Sequence, residues 1–292
     1  MALFTVNLKN VSFTYQAGTP FAHQALFDLS LRIKRGSYTA VVGHTGSGKS
    51  TIMQLIDGLL RPTEGTVTVN GATVTPSSSR RQLAALRSTT GFVFQLPEKQ
   101  LFAETVIEDV MFGPLNNGQS PTEARQNARQ ALQAVGLGEE FDQQSPFDLS
   151  GGQMRRVAIA GVLAMKPLLL ILDEPTAGLD SQGAMQMLEL VDHLHRQGTT
   201  ILLVTHQMEQ VAAYADQVVV INHGRLAFQG EPRQLFTDKK LLAENALRWP
   251  TAVVFDHALR DGGVRLPGTV PLTIDELADK LAAQLKGRDQ DE

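Results

Sequence analysis

The residues best equipped for chemistry are Gly43-His44-Thr45-Gly46-Ser47-Gly48-Lys49-Ser50-Thr51, which fit the pattern G-x-x-x-x-G-K-S/T. Glycines at 43, 46 and 48 open backbone conformations closed to other residues, so successive N–H groups converge on one anion. The Lys49 ammonium reaches terminal phosphates, and the Ser50 hydroxyl suits a magnesium ion. The stretch predicts binding of a nucleoside triphosphate. Asp173 and Glu174 follow the apolar run 168–172, at the carboxyl edge of a core strand, where open α/β sheets bind ligands. Asp173 suits magnesium, and Glu174 suits polarising a water for in-line attack on a γ-phosphate. Leu149-Ser150-Gly151-Gly152-Gln153 opens a helix. Ser150 is a natural cap, and two bare glycines let N–H groups approach a phosphate. From these residues alone a second anion site and a plain structural cap are equally served.

The elements that must hold these groups are legible around them. The β-branched run 38–42 leads into the phosphate loop, and 52–60 leads out with apolar residues at helical spacing. Residues 3–15 and 28–33 read as strands, as do 66–69, closed by the tight turn Asn70-Gly71. A short strand at 91–94 ends on Gln95, after which a helical insert runs from about 97 to 164. In it, Ser120-Pro121-Thr122-Glu123 forms a capping box, and Gly136 stops the helix. Residues 168–172 and 200–204 read as buried strands, and 217–221 with 225–228 flank the turn Asn222-His223-Gly224. The alternation predicts a parallel α/β core with an antiparallel flank. Thr273-Ile274-Asp275-Glu276 predicts a second capping box. It opens a helix with Ile274, Leu277, Leu281 and Leu285 on one face, and residues 288–292 are expected as a disordered end.

The chain has 292 residues, enough for one large or two modest domains at roughly 100–200 residues each. With 42% hydrophobic and 19% charged residues, its composition is that of a soluble globular protein. A net charge of -4, with no block of Lys and Arg, disfavours a nucleic-acid partner. The lack of cysteine removes disulfides, zinc-thiolate sites and thiol catalysis, and fits a reducing compartment. No apolar run approaches the roughly 20 residues of a membrane span, so work at a membrane is expected to pass through partners.

Taken together, these motifs resemble the ATPase subunit of an ABC transporter. The resemblance implies a P-loop NTPase core of ABC type with an antiparallel β flank, a helical subdomain at about 97–164 and a small C-terminal extension. Residues 1–236 would form the nucleotide-binding domain and 237–292 the extension, a dimer contact. Residues 43–51 would be the Walker A loop, 169–174 the Walker B strand and 149–153 the signature motif, which closes over ATP held by a second subunit. Tyr15 would stack on adenine, Gln95 would sense magnesium and the attacking water, and Glu174 would be the catalytic base. Ala177-Gly178-Leu179-Asp180 matches the loop coupling two sites, and His206 the switch histidine on the γ-phosphate. Nucleotide contacts would thus come from Tyr15, Gly43, Gly46, Ser47, Gly48, Lys49, Ser50, Thr51, Ser150, Gly151, Gly152, Gln153 and Asp180. Ser50, Gln95 and Asp173 would hold Mg2+ beside ATP.

A narrower resemblance lies in Phe94-Gln95-Leu96-Pro97-Glu98-Lys99-Gln100-Leu101-Phe102-Ala103-Glu104-Thr105-Val106. With Pro271-Leu272-Thr273-Ile274-Asp275-Glu276-Leu277, it is similar to the ATPases of energy-coupling factor importers for vitamins or transition-metal ions, and to the second of their two ATPase types. That implies a heterodimer with a related ATPase, a homodimer being the other arrangement. It also implies an integral-membrane coupling subunit, a substrate-binding membrane protein, and a peripheral position on the cytoplasmic face of the membrane. Glu98 and Glu104 would be available to basic residues of the coupling subunit. Two other readings are a soluble ABC ATPase acting on ribosomes or DNA, and a small-molecule kinase. The chain lacks the duplication or sustained heptads of the first. A kinase has no use for a signature motif together with a switch histidine.

Overall fold

The computed structural model describes residues 3–288, so residues 289–292 of the expected disordered end lie outside the described residues. The strands in chain order are β1 (Phe4–Tyr15), β2 (His23–Lys34), β3 (Tyr38–Val42), β4 (Glu64–Val69), β5 (Ala72–Val74), β6 (Thr90–Val93), β7 (Leu169–Asp173), β8 (Thr200–Val204), β9 (Gln217–Asn222) and β10 (Arg225–Gly230). The helices are α1 (Lys49–Ile56), α2 (Arg80–Arg87), α3 (Val106–Asn116), α4 (Pro121–Ala134), α5 (Gly151–Leu163), α6 (Ser181–Arg196), α7 (Met208–Tyr214), α8 (Pro232–Thr237), α9 (Lys239–Glu244), α10 (Thr251–Asp261) and α11 (Ile274–Arg288). They fall into two units, one comprising Met1–Ser37 and Ser50–Val204, the other Tyr38–Lys49 and Thr205–Glu292.

The first unit holds an antiparallel sheet in the order β2-β1-β4-β5. Asn70 and Gly71, at φ of 50° and 87°, both take the positive angles that a two-residue hairpin demands. β2 begins at His23, ahead of the expected residue 28, because its first residues pair with β1 through Tyr15↔His23 while staying exposed, which blurs their alternation. The same unit carries β6, β7 and β8 as parallel neighbours. Leu169, Leu170, Ile171 and Leu172 are all buried, as expected for a strand covered on both faces. The helical insert follows the sequence closely: Ser120 and Glu123 close the capping box of α4, Ala124, Ala128, Ala131 and Leu132 are buried, and Gly136 takes φ of 75° beyond its end.

In the second unit β3 pairs in parallel with β9, and β9 in antiparallel with β10. Its core packs Ala40 and Val42 of β3 with Val218 and Val220 of β9, and with Leu235, Phe236, Leu242, Val253 and Leu272 from the C-terminal stretch. A smaller cluster joins Ala252 of α10, Leu266 and Leu277 of α11. The expected capping box of α11 is half made. Thr273 Oγ1 accepts from the Glu276 N–H at 3.2 Å, but the Glu276 carboxylate reaches one residue further back, accepting from the Leu272 N–H at 2.9 Å. Arg233, 3.2 Å away, draws it there. Of the expected apolar face, Leu277 is buried and Leu281 half-buried, whereas Ile274 and Leu285 are exposed.

Candidate nucleotide-hydrolysis site

In the second unit, β3 delivers the chain into the loop from Gly43 to Lys49. A Cβ at Gly43 would stand 2.2 Å from the Ile221 carbonyl oxygen and 2.8 Å from Ser47 Oγ, so no other residue fits. Gly46 and Gly48 follow at φ of 79° and 107°, conformations that favour glycine and bend the loop tightly. Lys49 Nζ donates to the carbonyls of Gly43 and His44 at 2.8 and 2.9 Å, which lays the ammonium across the loop. The loop is braced from outside by the hairpin joining β9 and β10. The Gly224 N–H donates to the Ser47 carbonyl at 2.9 Å, His44 Nε2 lies 3.2 Å from Asn222 Oδ1, and the His44 and His223 rings sit 4.8 Å apart. Ser47 is fully buried, and its Oγ has no hydrogen-bond partner. A buried hydroxyl left unpaired is costly unless a ligand satisfies it. That orphan, the glycine-bent loop and the ammonium together fit a triphosphate.

Also in this unit, the turn carrying His206 is held by Thr205. Thr205 Oγ1 donates to Gln210 Oε1 at 2.9 Å and accepts from the Gln207 N–H at 3.0 Å. His206 itself is exposed.

The first unit carries Gln95, Asp173 and Glu174. β6 and β7 run in register with Val93 beside Leu172, so Gln95 and Asp173-Glu174 emerge from the same edge of adjacent strands. Glu174 takes φ of 47°, a left-handed conformation costing a side chain roughly 1–3 kcal/mol and concentrated at functional sites. It is held there by its N–H, donating to the Val204 carbonyl at 2.9 Å, and by its carbonyl, accepting from the Ala177 N–H at 3.0 Å. Ser50 and Thr51 begin α1. Tyr15 OH lies 3.0 Å from Thr51 Oγ1, and its ring meets Phe13 edge-on at 4.7 Å. The Ser50 hydroxyl, the Gln95 side-chain carbonyl and the Asp173 carboxylate are hard oxygen donors, of the kind magnesium prefers.

Ser150 caps α5 in a full capping box, its Oγ accepting from the Gln153 N–H while Gln153 Oε1 accepts from the Ser150 N–H at 2.9 Å. Gly151 and Gly152 are exposed, neither has a positive φ, and a Cβ on either would meet nothing within 4 Å. Nothing among the described residues calls for glycine at those two helical positions. Asp180 also has a local task, capping α6 by accepting from the Gly183 N–H at 2.7 Å. A cavity of about 780 Å³ opens between the starts of α5 and α6, lined by Gly152, Arg155, Leu179 and Asp180. Sequence reasoning missed Arg155 and the bracing role of the 222–224 turn. The first carried no motif, and the second read only as a hairpin.

A strand-loop-helix phosphate cradle, paired carboxylates at a parallel strand edge and a capped, bare helix start define an ATP-binding cassette. The chain belongs to the ABC transporter family, whose model matches residues 26–177. Within that family it is similar to the energy-coupling factor transporter ATP-binding protein EcfA2 of Streptococcus thermophilus, with 51% identity over 94% of this chain and 98% of the relative. The protein of that name from Lactiplantibacillus plantarum is 51% identical over 96% of this chain and 95% of its own. Among solved structures, cbiO1 of Clostridium perfringens, part of the ABC transporter complex cbiONQ, superposes with a TM-score of 0.71 at 37% identity, covering 83% of this chain and 94% of the other. The ATP-binding cassette MJ0796, a dimer bound to ADP and Pi, gives 0.69 at 33% identity over 78% and 98%. The chain is thus an α/β ABC ATPase, and these likenesses favour transport over action on ribosomes or DNA.

Proposed function

We propose that this chain binds and hydrolyses ATP to energise an energy-coupling-factor-type importer, working as one half of an ATPase dimer on an integral-membrane coupling subunit. The observation that carries the dimer is the start of α5. Two glycines stand bare where the chain's own packing and dihedrals require none, as expected if a phosphate on another subunit approaches the helix N-terminus. Full-length identity to EcfA2 proteins supports the second ATPase type, and hence a heterodimer with a related subunit.

In this reading Gly43, Gly46, Ser47, Gly48, Lys49 and Thr51 hold the phosphates, and Tyr15 faces adenine. Ser150, Gly151, Gly152, Gln153 and Asp180 serve the composite site. Ser50, Gln95 and Asp173 would hold Mg2+, which would supply positive charge against the phosphates. Glu174 takes the proton of a water whose oxygen bonds to the γ-phosphorus as the bond to the β–γ bridging oxygen breaks, releasing ADP and phosphate. His206 orients the γ-phosphate. Residues 1–236 act as the nucleotide-binding domain and 237–292 as an extension contacting the second ATPase.

The likeness to energy-coupling factor transporter ATP-binding proteins supports a peripheral position on the cytoplasmic face; no helix among the described residues is long and apolar enough to cross a membrane. The docking surface for the membrane subunit is the helical insert. There Phe102 and Phe112 pack edge-on at 4.7 Å while remaining 57% and 49% exposed, an apolar patch suited to a partner helix. The test is a gentle-detergent pull-down of the tagged chain from its host's membranes, with co-purifying proteins identified by mass spectrometry. A second ATPase with a polytopic membrane protein and small hydrophobic binding proteins is expected; ribosomal proteins, or no membrane partner, would overturn the reading.

A further inference from the structure

Arg155 lies two residues past Gln153 in α5 and is only 4% exposed. A buried guanidinium is costly unless its charge and donors are met. Nη1 donates to the Ala177 carbonyl at 2.7 Å, and Nη2 donates to the Gln95 carbonyl at 3.0 Å, while Nε has no hydrogen-bond partner. Burial lowers the pKa of Arg155, and the negative charge of Glu98 opposes that effect. Glu98 Oε2 is itself buried without a hydrogen-bond partner, and the carboxylate's negative charge acts on the guanidinium. Both acceptors of Arg155 are main-chain carbonyls in loops that leave the edge of the parallel strands: one carries Gln95, the other leads to Asp180.

A guanidinium is planar and rigid, so its two arms keep a fixed separation that an ammonium on a flexible stem does not impose. We propose that Arg155 is a positioning residue that locks the Gln95 loop, the Ala177–Asp180 loop and the Ser150 end of α5 into one body, with Glu98 as its counter-charge. A displacement imposed on the Gln95 loop is then passed to the loop ending at Asp180 and to the helix start that closes on ATP. This rests on the roles proposed above for Gln95, Ser150 and Asp180.

The test uses the purified complex with its membrane subunits, with ATP as the probe. Arg155→Lys keeps the charge and loses the fork; Arg155→Gln loses the charge and keeps one donor group. For both, kcat is expected to fall by about 10- to 100-fold, the scale of a small misplacement at a distance. KM for ATP should stay within about twofold, because the phosphate loop is untouched. The stimulation of hydrolysis by the membrane subunits, measured against the ATPase dimer alone, should be lost. Glu98→Gln should give a smaller loss that is non-additive with Arg155→Lys. If Arg155→Lys retains wild-type kcat and stimulation, or if kcat, KM and thermal stability decline in parallel in both variants, the residue is only a packing element and the proposal fails. A wild-type complex that does not hydrolyse ATP would instead overturn the underlying reading together with this one.

Discussion

The carbonyl of Ser47 accepts the N–H of Gly224 at 2.9 Å, so the middle of the phosphate loop is moored to a hairpin turn far along the chain. Gly224 sits at φ of 72°, and its neighbour His223 at 46°. A β-branched residue at position 224 would have to leave that region, at a cost of about 1–2 kcal/mol. Gly224→Val is therefore expected to weaken ATP binding by roughly tenfold, with the carboxylates of the first unit untouched. Equilibrium titration with a fluorescent ATP analogue reads this directly; unaltered affinity would show that the turn braces nothing.

Glu174→Gln keeps the size and polarity of the side chain and removes the proposed base. Turnover should fall by about 10²–10⁴-fold while ATP is still bound, trapping the closed dimer. Lys49→Ala should do the opposite and lose binding itself. Steady-state hydrolysis together with size-exclusion chromatography in ATP distinguishes the two, and unchanged hydrolysis by Glu174→Gln would remove it from the role of base.

Gly152→Ala separates folding from assembly. Among the described residues, nothing beyond the helix's own local backbone and the two chain neighbours lies within 4 Å of the added methyl, and alanine is the better helix former. The variant should therefore be as stable as wild type or more so, by up to about 1 kcal/mol. Its hydrolysis should nonetheless drop by at least about tenfold, because in the proposed dimer the methyl would stand where the other subunit's phosphate approaches. Urea unfolding and ATPase assays on one preparation check both halves.

Asp57 gives a pH signature. Burial pushes its carboxyl from 3.8 up to about 6, against the hydrogen bond from Thr90 Oγ1 at 2.6 Å and the charge of Arg87. Between those two values the folded chain holds a proton that the unfolded chain has released, so stability falls as pH rises through about 4 to 6 and is level above. The loss is roughly 3 kcal/mol. Asp57→Asn should not show it, so the stability gap between variant and wild type should shift in the variant's favour from pH 4 to pH 7, as measured by urea midpoints.

What was legible in the sequence was local. The phosphate loop, the capping box of α4, the Ser150 cap of α5 and the Asp173-Glu174 strand end are each specified by residues within a few positions of one another, and each element stands where expected. Arg155 was not legible because its acceptors are main-chain carbonyls 22 and 60 residues away, and a carbonyl has no residue type to read. Glu276 was misread because a distant arginine, Arg233, outcompetes the short-range geometry of a capping box. The bare state of Gly151 and Gly152 was visible as composition. Only the space around them shows that nothing in the chain itself explains it.

The strand that carries the phosphate loop has its apolar cover written last. Ala40 and Val42 share a core with Leu242, Val253 and Leu272, near the other end of the chain. Synthesis on the ribosome runs from the N-terminus, and domains complete only when their contacts have emerged. The nascent chain therefore makes its nucleotide-binding loop early and leaves it on an uncovered strand through most of translation. A premature stop before residue 242 would release a polypeptide that carries the phosphate loop and the Asp173-Glu174 pair yet lacks Leu242, Val253 and Leu272 from the core that packs against β3.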